Sequence, residues 1–350
     1  MSHPRQPARR RRLLSGLALG LAVATAAATA SACSGGSSGL GSPDTTTLRV
    51  GVVDSLGVVP FEIGISANYH SFSDAGLAIT EQKFANEGDE MAALAQSKID
   101  IAYGEYSQFL SGGDDAANLN LAGQNQLRIV SEAYDAAPDT VALLVRKGGS
   151  VPALPQKDFC KGTYTVGVTS YFGTEYLALS NWLQAQNTPI ALKNCPAVHT
   201  FPDATALITA VARGQITAAA LQEPYVSAGE INAGLRVATD LATGNAADMP
   251  IDGYFATSTF VTKYPHTTAI FASVMARLQS VGGQRIAVET ALGTQTGNDP
   301  LITATMQLGT YPTVVLPAKL EIVNRLMNSA GTISGPLNVA TLTDLAATTS

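Results

Sequence analysis

The sequence predicts an α/β protein of two lobes, each built on a mainly parallel sheet flanked by helices. The first observation is LRVGVV at residues 48–53, a run typical of a strand buried on both faces. The second is an alternation of strand-like and helix-like segments that starts there and begins again at residue 163. The third is a change to helical periodicity after residue 261. Two similar α/β series followed by helices indicate two lobes rather than one large sheet.

The first series has strand and helix patterns in the order expected for β-α-β units. LAITEQKF at 77–84 alternates as a strand does, and GDEMAALAQSK at 88–98 has helical spacing. The series continues with a strand at IDIAYG (99–104), a helix at YSQFLSG (106–112), and strands at LRIVSEAY (127–134) and TVALLVRK (140–147).

The second series repeats this order without repeating the residues. It consists of a strand at TYTVGVT (163–169), helices at 170–186 and 203–215, and a strand at ITAAALQ (216–222). A strand within PIDGYFATSTFV, residues 250–261, then leads into the helical part of the chain. The predicted helices of that part lie at 267–283, 285–295, 301–309 and 317–331.

The N-terminus has the pattern of an export signal, predicted to occupy residues 1–32. It contains five arginines and no acid, and these arginines are followed by the apolar run LLSGLALGLAVATAAATASA at 13–32. A retained transmembrane helix is the alternative, because 20 residues are enough to span a bilayer. The many Ala, Ser and Thr residues of the run, and the small residues before Cys33, favour cleavage.

Cys33 is the predicted site of lipidation. ASAC at 30–33 resembles a bacterial lipobox, although Ala30 stands where Leu is usual. The alternative is ordinary cleavage that leaves an unmodified Cys33. The segment that follows, SGGSSGLGSPDTTT at 34–47, reads as a flexible tether, which a lipid anchor needs. We therefore expect an exported lipoprotein on the outer face of the cytoplasmic membrane, with residues 33–47 as its tether.

Composition argues against two other classes of function. The net charge is -6, and it becomes -11 once the five N-terminal arginines are removed, so the body lacks the basic footprint of a nucleic-acid-binding protein. No Cys-x-x-Cys is present, and the four histidines have no ligand spacing, so we expect neither a metal nor a cofactor.

The remaining cysteines allow one disulfide bond. If Cys33 is acylated, Cys160 and Cys195 form an even pair in an oxidising compartment. A bond between them is predicted, and two free buried thiols are the alternative, because the distance between the Cα atoms decides.

Six segments in the same order resemble the periplasmic solute-binding proteins of ABC importers, in the nitrate/sulfonate/taurine and thiamine-pyrimidine branch. They cover about residues 48–340. The segments are LRVGVV, GDEMAALAQSKIDIAYGEYSQFL, TYTVGVTSYFGTEYLAL, DATALITAVARGQITAAALQEPY, DGYFATSTFVTKYP and LGTYP with LPAKLEIVNRLMNSAGTISGPLNV. Two positions depart from the family pattern: Gln222 replaces an aromatic residue before Glu-Pro, and Thr217 replaces an acid.

The resemblance implies a type II periplasmic-binding-protein fold with a hinge between the lobes. It implies a monomer without enzymatic activity that closes on one small molecule and presents it to a membrane permease. The implied lobes are 48–139 with 254–350, and 140–253, and the hinge crossings lie near 136–142 and 248–254. Two alternatives stay open: an enzyme of the related pyrimidine-synthesis type, and a ligand-binding lobe that signals to a membrane sensor.

Candidate ligand contacts follow the predicted strands, because ligands of such proteins bind outside the carboxyl ends of strands. These candidates are Asp54, Ser55, Leu56, Glu105, Tyr106, Ser107, Ser170, Tyr171, Phe172, Gly173, Thr174, Glu223, Tyr225, Asp252 and Tyr254. Structural roles are the alternatives: Glu223 at a helix N-terminus, Ser170 and Thr174 as caps, and Asp252 in a turn.

The charges of these candidates favour a nitrogenous ligand. Asp54, Glu105, Glu223 and Asp252 are acidic, and none of the candidate positions holds Lys or Arg. Because burial of unpaired carboxylates is costly, a ligand with hydrogen-bond donors or a positive charge would offset that cost. A pyrimidine-like molecule is therefore favoured over a sulfonate or nitrate, although helix N-termini bind such anions without arginine.

Overall fold

The computed structural model describes residues 41–66, 68–112, 127–149, 164–186, 195–295 and 299–345. The predicted signal peptide, Cys33, Cys160 and most of the predicted tether lie outside these residues. Cys195 is buried, and its pairing with Cys160 stays a prediction. Within the described ranges, no helix combines the length and the apolar character needed to cross a bilayer.

The strands and helices of the described residues alternate over most of the chain. The strands are β1 (Thr47–Val52), β2 (Ala78–Lys83), β3 (Ile101–Glu105), β4 (Leu127–Asp135), β5 (Val141–Arg146), β6 (Val166–Val168), β7 (Val198–Thr200), β8 (Ala218–Gln222), β9 (Leu235–Asp240) and β10 (Pro250–Thr257). The helices are α1 (Val59–Ile65), α2 (Glu87–Ala95), α3 (Tyr106–Ser111), α4 (Thr174–Ala185), α5 (Ala204–Ala212), α6 (Tyr225–Ala233), α7 (Ser258–Lys263), α8 (Pro265–Gly282), α9 (Arg285–Gln295), α10 (Pro300–Thr305), α11 (Pro317–Ala330) and α12 (Val339–Leu342).

The strands form two five-stranded sheets, which confirms the predicted two-lobed α/β architecture. The first sheet has the order β2-β1-β3-β10-β4 and the second has the order β7-β6-β8-β5-β9. In each sheet four strands run in one direction, and β10 or β5 runs against them. The sheets are therefore mixed, because these two strands follow directly after a strand of the other sheet.

Burial on both faces explains why β5 and β8 are apolar except at their last residues, Arg146 and Gln222. Leu143 and Val145 of β5 belong to one apolar cluster, together with Leu177 and Leu179 of α4. Leu144 of β5 belongs to another cluster, which includes Leu207 and Val211 of α5. Helices thus cover both faces of the second sheet, as expected for strands whose interior residues are all apolar.

The chain crosses between the sheets at two places, the first within the predicted segment 136–142 and the second mostly before the predicted segment 248–254. It leaves the first sheet after Asp135 and enters the second at Val141, and it returns between Asp240 and Pro250. The C-terminal helix α11 also contacts the second sheet's helices, where Gln184 Nε2 donates to Ser329 O over 3.1 Å. Hinge motion and the lobe boundaries stay predictions.

Candidate ligand-binding site

A cavity of about 490 Å³ lies where strand ends of both sheets converge. From the first sheet's side it is lined by the loop after β1, the start of α2, the end of β3 and the start of β10. From the second sheet's side it is lined by the loop after β6, the start of α5 and the segment after β8. Because β10 runs against its neighbours, its first residues lie at the same edge as their carboxyl ends. The volume suits a small molecule.

Eight of the predicted ligand contacts line this cavity. They are Asp54, Ser55, Leu56, Glu105, Ser170, Glu223, Tyr225 and Asp252. The other seven are not among its lining residues: Tyr106, Ser107, Tyr171, Phe172, Gly173, Thr174 and Tyr254. Of these seven, Tyr106, Ser107 and Thr174 lie in helices and Tyr254 lies in β10.

Glu105 links the two sheets across the cavity. It ends β3 of the first sheet, and its Oε2 accepts a hydrogen bond of 2.8 Å from Thr174 N at the start of α4. Its Oε1 accepts one of 2.5 Å from Gln222 Nε2 at the end of β8. Ser107 Oγ donates to Oε2 over 3.3 Å. Burial raises the pKa of Glu105, and these donors oppose that rise.

Asp252 forms a hydrogen-bonded group with two residues of the first sheet's side. Tyr103 OH donates to Asp252 Oδ2 over 2.7 Å, and Ser55 Oγ lies 3.4 Å from the same oxygen. Ser55 Oγ is also hydrogen-bonded to Tyr103 OH. Burial, with the nearby charge of Glu105, raises the pKa of Asp252 to about 7.

Two further buried acids, Glu87 and Glu175, line the cavity beside Glu105. Glu87 Oε1 accepts a hydrogen bond of 2.7 Å from Glu105 N. A methyl group at Gly173 would lie 3.0 Å from Glu175 Oε2 and 3.5 Å from Glu105 Oε2, so these two carboxylates converge. Burial and the charge of Glu105 raise the pKa of Glu175 to about 8 and that of Glu87 well above its usual range.

Glu87, Glu105, Glu175 and Asp252 are hereafter the cleft acids. Within the described part of the chain, the residues that line the cavity include no Lys, Arg or His. Lys83 lies near its edge, but it is already paired with Glu62 at 2.8 Å and with the exposed Asp54 at 3.1 Å. The cleft acids therefore have no counter-ion from these parts of the protein, and they cannot all be ionised together at low cost.

Among the described residues, the N-termini of α2, α4, α5 and α6 meet the cavity, and one N–H of each already has an acceptor from the chain. Asn86 Oδ1 accepts from Asp89 N over 2.9 Å in α2, and Asp203 Oδ1 accepts from Ala206 N over 2.7 Å in α5. Glu105 and Glu223 serve α4 and α6. These caps satisfy donors that an anionic ligand would otherwise use.

Glu223 has the structural role that was the alternative to ligand contact. Its Oε2 accepts a hydrogen bond of 3.0 Å from Ser227 N, in the first turn of α6. Its Oε1 accepts from Ser227 Oγ at 2.8 Å and from Gln307 N at 2.9 Å. Both oxygens thus have partners in the protein, although the side chain also lines the cavity. Burial raises the pKa of Glu223.

The predicted aromatic contacts are divided between the core and the cavity rim. Tyr106 and Tyr254 are fully buried, where Tyr106 packs on Phe255 with ring centroids 5.4 Å apart. Tyr171 OH donates to Val198 O over 3.0 Å. Tyr225 lines the cavity and is 41% exposed, so its ring is accessible to a ligand.

Ser170, Phe172 and Gly173 shape the turn before α4. Phe172 N donates to Ser170 Oγ over 3.0 Å, and Gly173 is the N-cap residue of the helix. The predicted helix at 170–186 therefore begins four residues late. This turn brings Thr174 N to Glu105, so neither Ser170 nor Thr174 caps α4 with its side chain as the alternative predicted.

Sequence reasoning missed Glu87, Glu175 and Gln222 as cavity residues. Glu87 lies beyond the carboxyl end of β2, as Asp54 lies beyond that of β1, but farther along the chain, so only a wider strand-end rule would have included it. Glu175 lies in the first turn of α4, where an acid reads as favourable to the helix dipole. No group of three or more His, Cys, Asp and Glu residues in the described ranges is placed to hold a metal ion.

Comparisons with known proteins agree with this architecture. A family model described as the NMT1-like family matches residues 41–287. No curated protein matches the chain. One similar solved structure is the ligand-binding component of an ABC-type import system from Staphylococcus aureus with zinc bound. It has a TM-score of 0.67 and 13% identity, and the match covers 87% of this chain and 100% of that one.

Two more solved structures have the same fold. The alkanesulfonate-binding protein SsuA from Xanthomonas axonopodis pv. citri, bound to MOPS, has a TM-score of 0.65 and 15% identity, with 85% of this chain and 98% of that one covered. The Candida albicans CA3427 gene product, described as having the generic periplasmic binding protein fold, has a TM-score of 0.62 and 13% identity, with 84% and 93% covered. At these identities the likeness establishes the fold, and the predicted periplasmic-binding-protein fold is confirmed.

Proposed function

Because the chain belongs to the NMT1-like family, we propose that it is an extracytoplasmic solute-binding protein that captures one small polar molecule and delivers it to an ABC permease. Family and fold confirm the resemblance that the motifs indicated. The observation that carries the proposal is the cavity of about 490 Å³, to which both sheets contribute their strand ends. A site divided between two lobes can close on its ligand by movement at the two chain crossings.

The described roles of similar proteins support this reading. The Staphylococcus aureus protein is a ligand-binding component of an import system, and the Xanthomonas protein binds alkanesulfonates. We propose that this chain likewise binds without chemistry, as a monomer. Among the described lining residues, no histidine or lysine lies beside the cleft acids to serve as a base or to hold a cofactor, which supports binding over catalysis.

Export and anchoring belong to the same proposal. The signal pattern at 1–32, Cys33 and the Gly/Ser-rich tether support a lipoprotein on the outer face of the membrane. Metabolic labelling with a palmitate analogue tests this, because Cys33→Ser would abolish the label and release the protein from membranes. Retention of the label in Cys33→Ser would contradict lipidation at that residue.

A thermal-shift screen of pyrimidines, amines, sulfonates and nitrate tests the binding function. A ligand at 100 times its Kd adds about 2.7 kcal/mol of stability. Small-angle scattering of the best hit tests closure, and we expect the radius of gyration to fall on binding. A hit that is chemically altered on incubation would favour the enzyme alternative. Capture of a sensor kinase instead of a permease by the anchored protein would favour the sensor.

A further inference from the structure

We propose that the ligand is a small organic cation whose charged nitrogen binds among Glu87, Glu105, Glu175 and Asp252. This inference rests on the proposed solute-binding function and names the ligand class for the same cavity. Its basis is a set of buried carboxylates without a counter-ion, an unpartnered carboxylate oxygen, and helix N-termini that are already capped.

The charge balance of the cavity favours a positive guest. All four cleft acids line the cavity, and none is paired with a basic side chain in the described ranges. Glu105 and Glu175 converge beside Gly173, and Glu105 N donates to Glu87. An ammonium, amidinium or guanidinium group placed there would neutralise charge that is otherwise costly to bury.

Glu87 supplies an independent observation that points to a ligand. Its side chain is 9% exposed, and Oε1 is held by Glu105 N. Its other oxygen, Oε2, is buried and has no hydrogen-bond partner among the residues that the structure describes. An unsatisfied buried carboxylate oxygen is costly, so an N–H donor of a bound molecule would satisfy it.

An anion would meet acidic side chains at three of the four capped helix N-termini. In α2, α4, α5 and α6, one N–H each is already hydrogen-bonded, to Asn86, Glu105, Asp203 and Glu223. A sulfonate or nitrate that used the other N–H groups would lie beside these acceptors and against the cleft acids. The nearby negative charge disfavours an anion.

The remainder of the lining favours an organic body over a bare ion. Leu56, Met91, Pro224 and the rings of Tyr134 and Tyr225 contribute apolar surface to the cavity. Aromatic faces attract cations and pack on flat carbon skeletons. The site thus combines buried carboxylates with apolar surface.

Two matched series of probes test the charge requirement. Benzamidine, benzamide and benzoate are flat molecules of similar size, as are cyclohexylamine, cyclohexanol and cyclohexanecarboxylate in a bulkier form. Calorimetric titration of the full chain at pH 8 measures each Kd. We expect each cation to bind at least tenfold more tightly than its neutral analogue, with no measurable binding of either anion.

Glu87→Gln tests whether the unpartnered oxygen is the contact, and Asp74→Asn is the matched control. Asp74 is an exposed acid of the first sheet's side that does not line the cavity. We expect Glu87→Gln to weaken cation binding at least tenfold and to leave the melting temperature of the ligand-free protein unchanged or higher. Asp74→Asn should change neither property.

The outcomes separate this inference from the function on which it rests. Equal or tighter binding of a neutral or anionic probe would overturn the cation inference and leave solute binding intact. Cation binding that survives Glu87→Gln, or a lowered melting temperature of that variant without ligand, would make Glu87 structural and also overturn the inference. No binding by any of the six probes would also overturn the cation inference, whereas the wider thermal-shift screen decides the solute-binding function.

Discussion

Two clusters of buried carboxylates in this protein differ in whether the chain supplies a counter-ion. At the end of β4, the fully buried Asp135 is hydrogen-bonded to the ammonium of Lys319 from α11. Glu132 lies beside this pair, and burial with the charge of Asp135 raises its pKa to about 9. In the cavity, the described residues place no basic side chain against the cleft acids.

The difference indicates which cluster serves the fold and which serves a ligand. Asp135 is the last residue before the first crossing, and Lys319 ties this point to α11. A fixed ion pair at that place stabilises one arrangement of the chain. The cleft acids have the same burial cost without that compensation, and the missing charge can come from outside.

Removal of Lys319 should destabilise the fold, because it takes the counter-ion from Asp135. Lys319→Met leaves Asp135 buried without its counter-charge, and loss of one partner of a buried pair costs about 4 kcal/mol. Urea denaturation at pH 7 measures the free energy of unfolding, with the exposed Lys98→Met as the matched control. A loss below about 1 kcal/mol would mean that Lys319 contributes little there.

The cleft acids should make the ligand-free protein less stable as pH rises. Burial raises the pKa of Asp252 to about 7 and that of Glu175 to about 8 in the folded protein. At any pH between the ordinary pKa of the unfolded chain and these raised pKa values, the folded state therefore binds more protons than the unfolded state. The unfolding free energy therefore falls with rising pH, by about 3 kcal/mol from pH 6 to pH 8. Urea denaturation at both pH values measures this fall.

The groups that face these acids are mostly acidic, which fixes the sign of the effect. Glu87 faces Glu105, Asp252 and Glu90, and Asp252 also contacts Tyr103 and Ser55. Glu175→Gln should reduce the slope, and a bound cation should remove most of it by replacing the protons. Because the pKa of Glu132 is also raised, to about 9, Glu132→Gln is the control that measures how much of the pH dependence comes from Glu132. A stability that rises with pH would contradict the prediction.

A lysine placed in the cavity should supply the cleft acids with a counter-ion. Gln222 Nε2 already lies 2.5 Å from Glu105 Oε1, so Gln222→Lys would bring an ammonium to the same carboxylate. We expect cation affinity to fall about a hundredfold, equal to about 2.7 kcal/mol. Calorimetric titration with benzamidine measures it.

Gln222→Met is the control for Gln222→Lys, because it removes the amide donor without adding charge. We expect Gln222→Met to keep cation affinity within about threefold, since Glu105 stays available. An equal loss in both variants would show that the amide itself, and not the charge balance, is what binding requires.

The sequence predicted most of the fold because its strands are buried on both faces. β1, β5 and β8 were found within two residues of their ends, since continuous apolar runs of that length are distinctive. β7 was missed because only Val198 of its three residues is buried. α6 was missed because YVSAGEINA has no apolar stripe, and its buried positions include Ser227 and Gly229.

The site was predicted only in part. The predicted strand ends indicate which residues lie near the cavity, but they do not indicate which residues these hydrogen-bond to. Glu105 and Asp252 line the cavity as expected, yet the bond from Glu105 to Thr174 joins residues 69 positions apart. That contact depends on how the two sheets face each other, which no local pattern encodes. Glu87 and Glu175 were missed because acids in a first helical turn have a sufficient local explanation.

Substitution of Glu223 should have only a small effect on stability and on cation affinity. Glu223 lines the cavity like the cleft acids, but Ser227 and Gln307 satisfy both of its oxygens. Glu223→Ala should therefore cost about 1 kcal/mol of stability through the lost cap of α6, and cation affinity should stay within about threefold. Urea denaturation and calorimetric titration of the same variant measure the two effects. A tenfold loss of affinity with unchanged stability would move Glu223 into the group of ligand contacts, because it would show that the ligand, and not the start of α6, depends on this carboxylate.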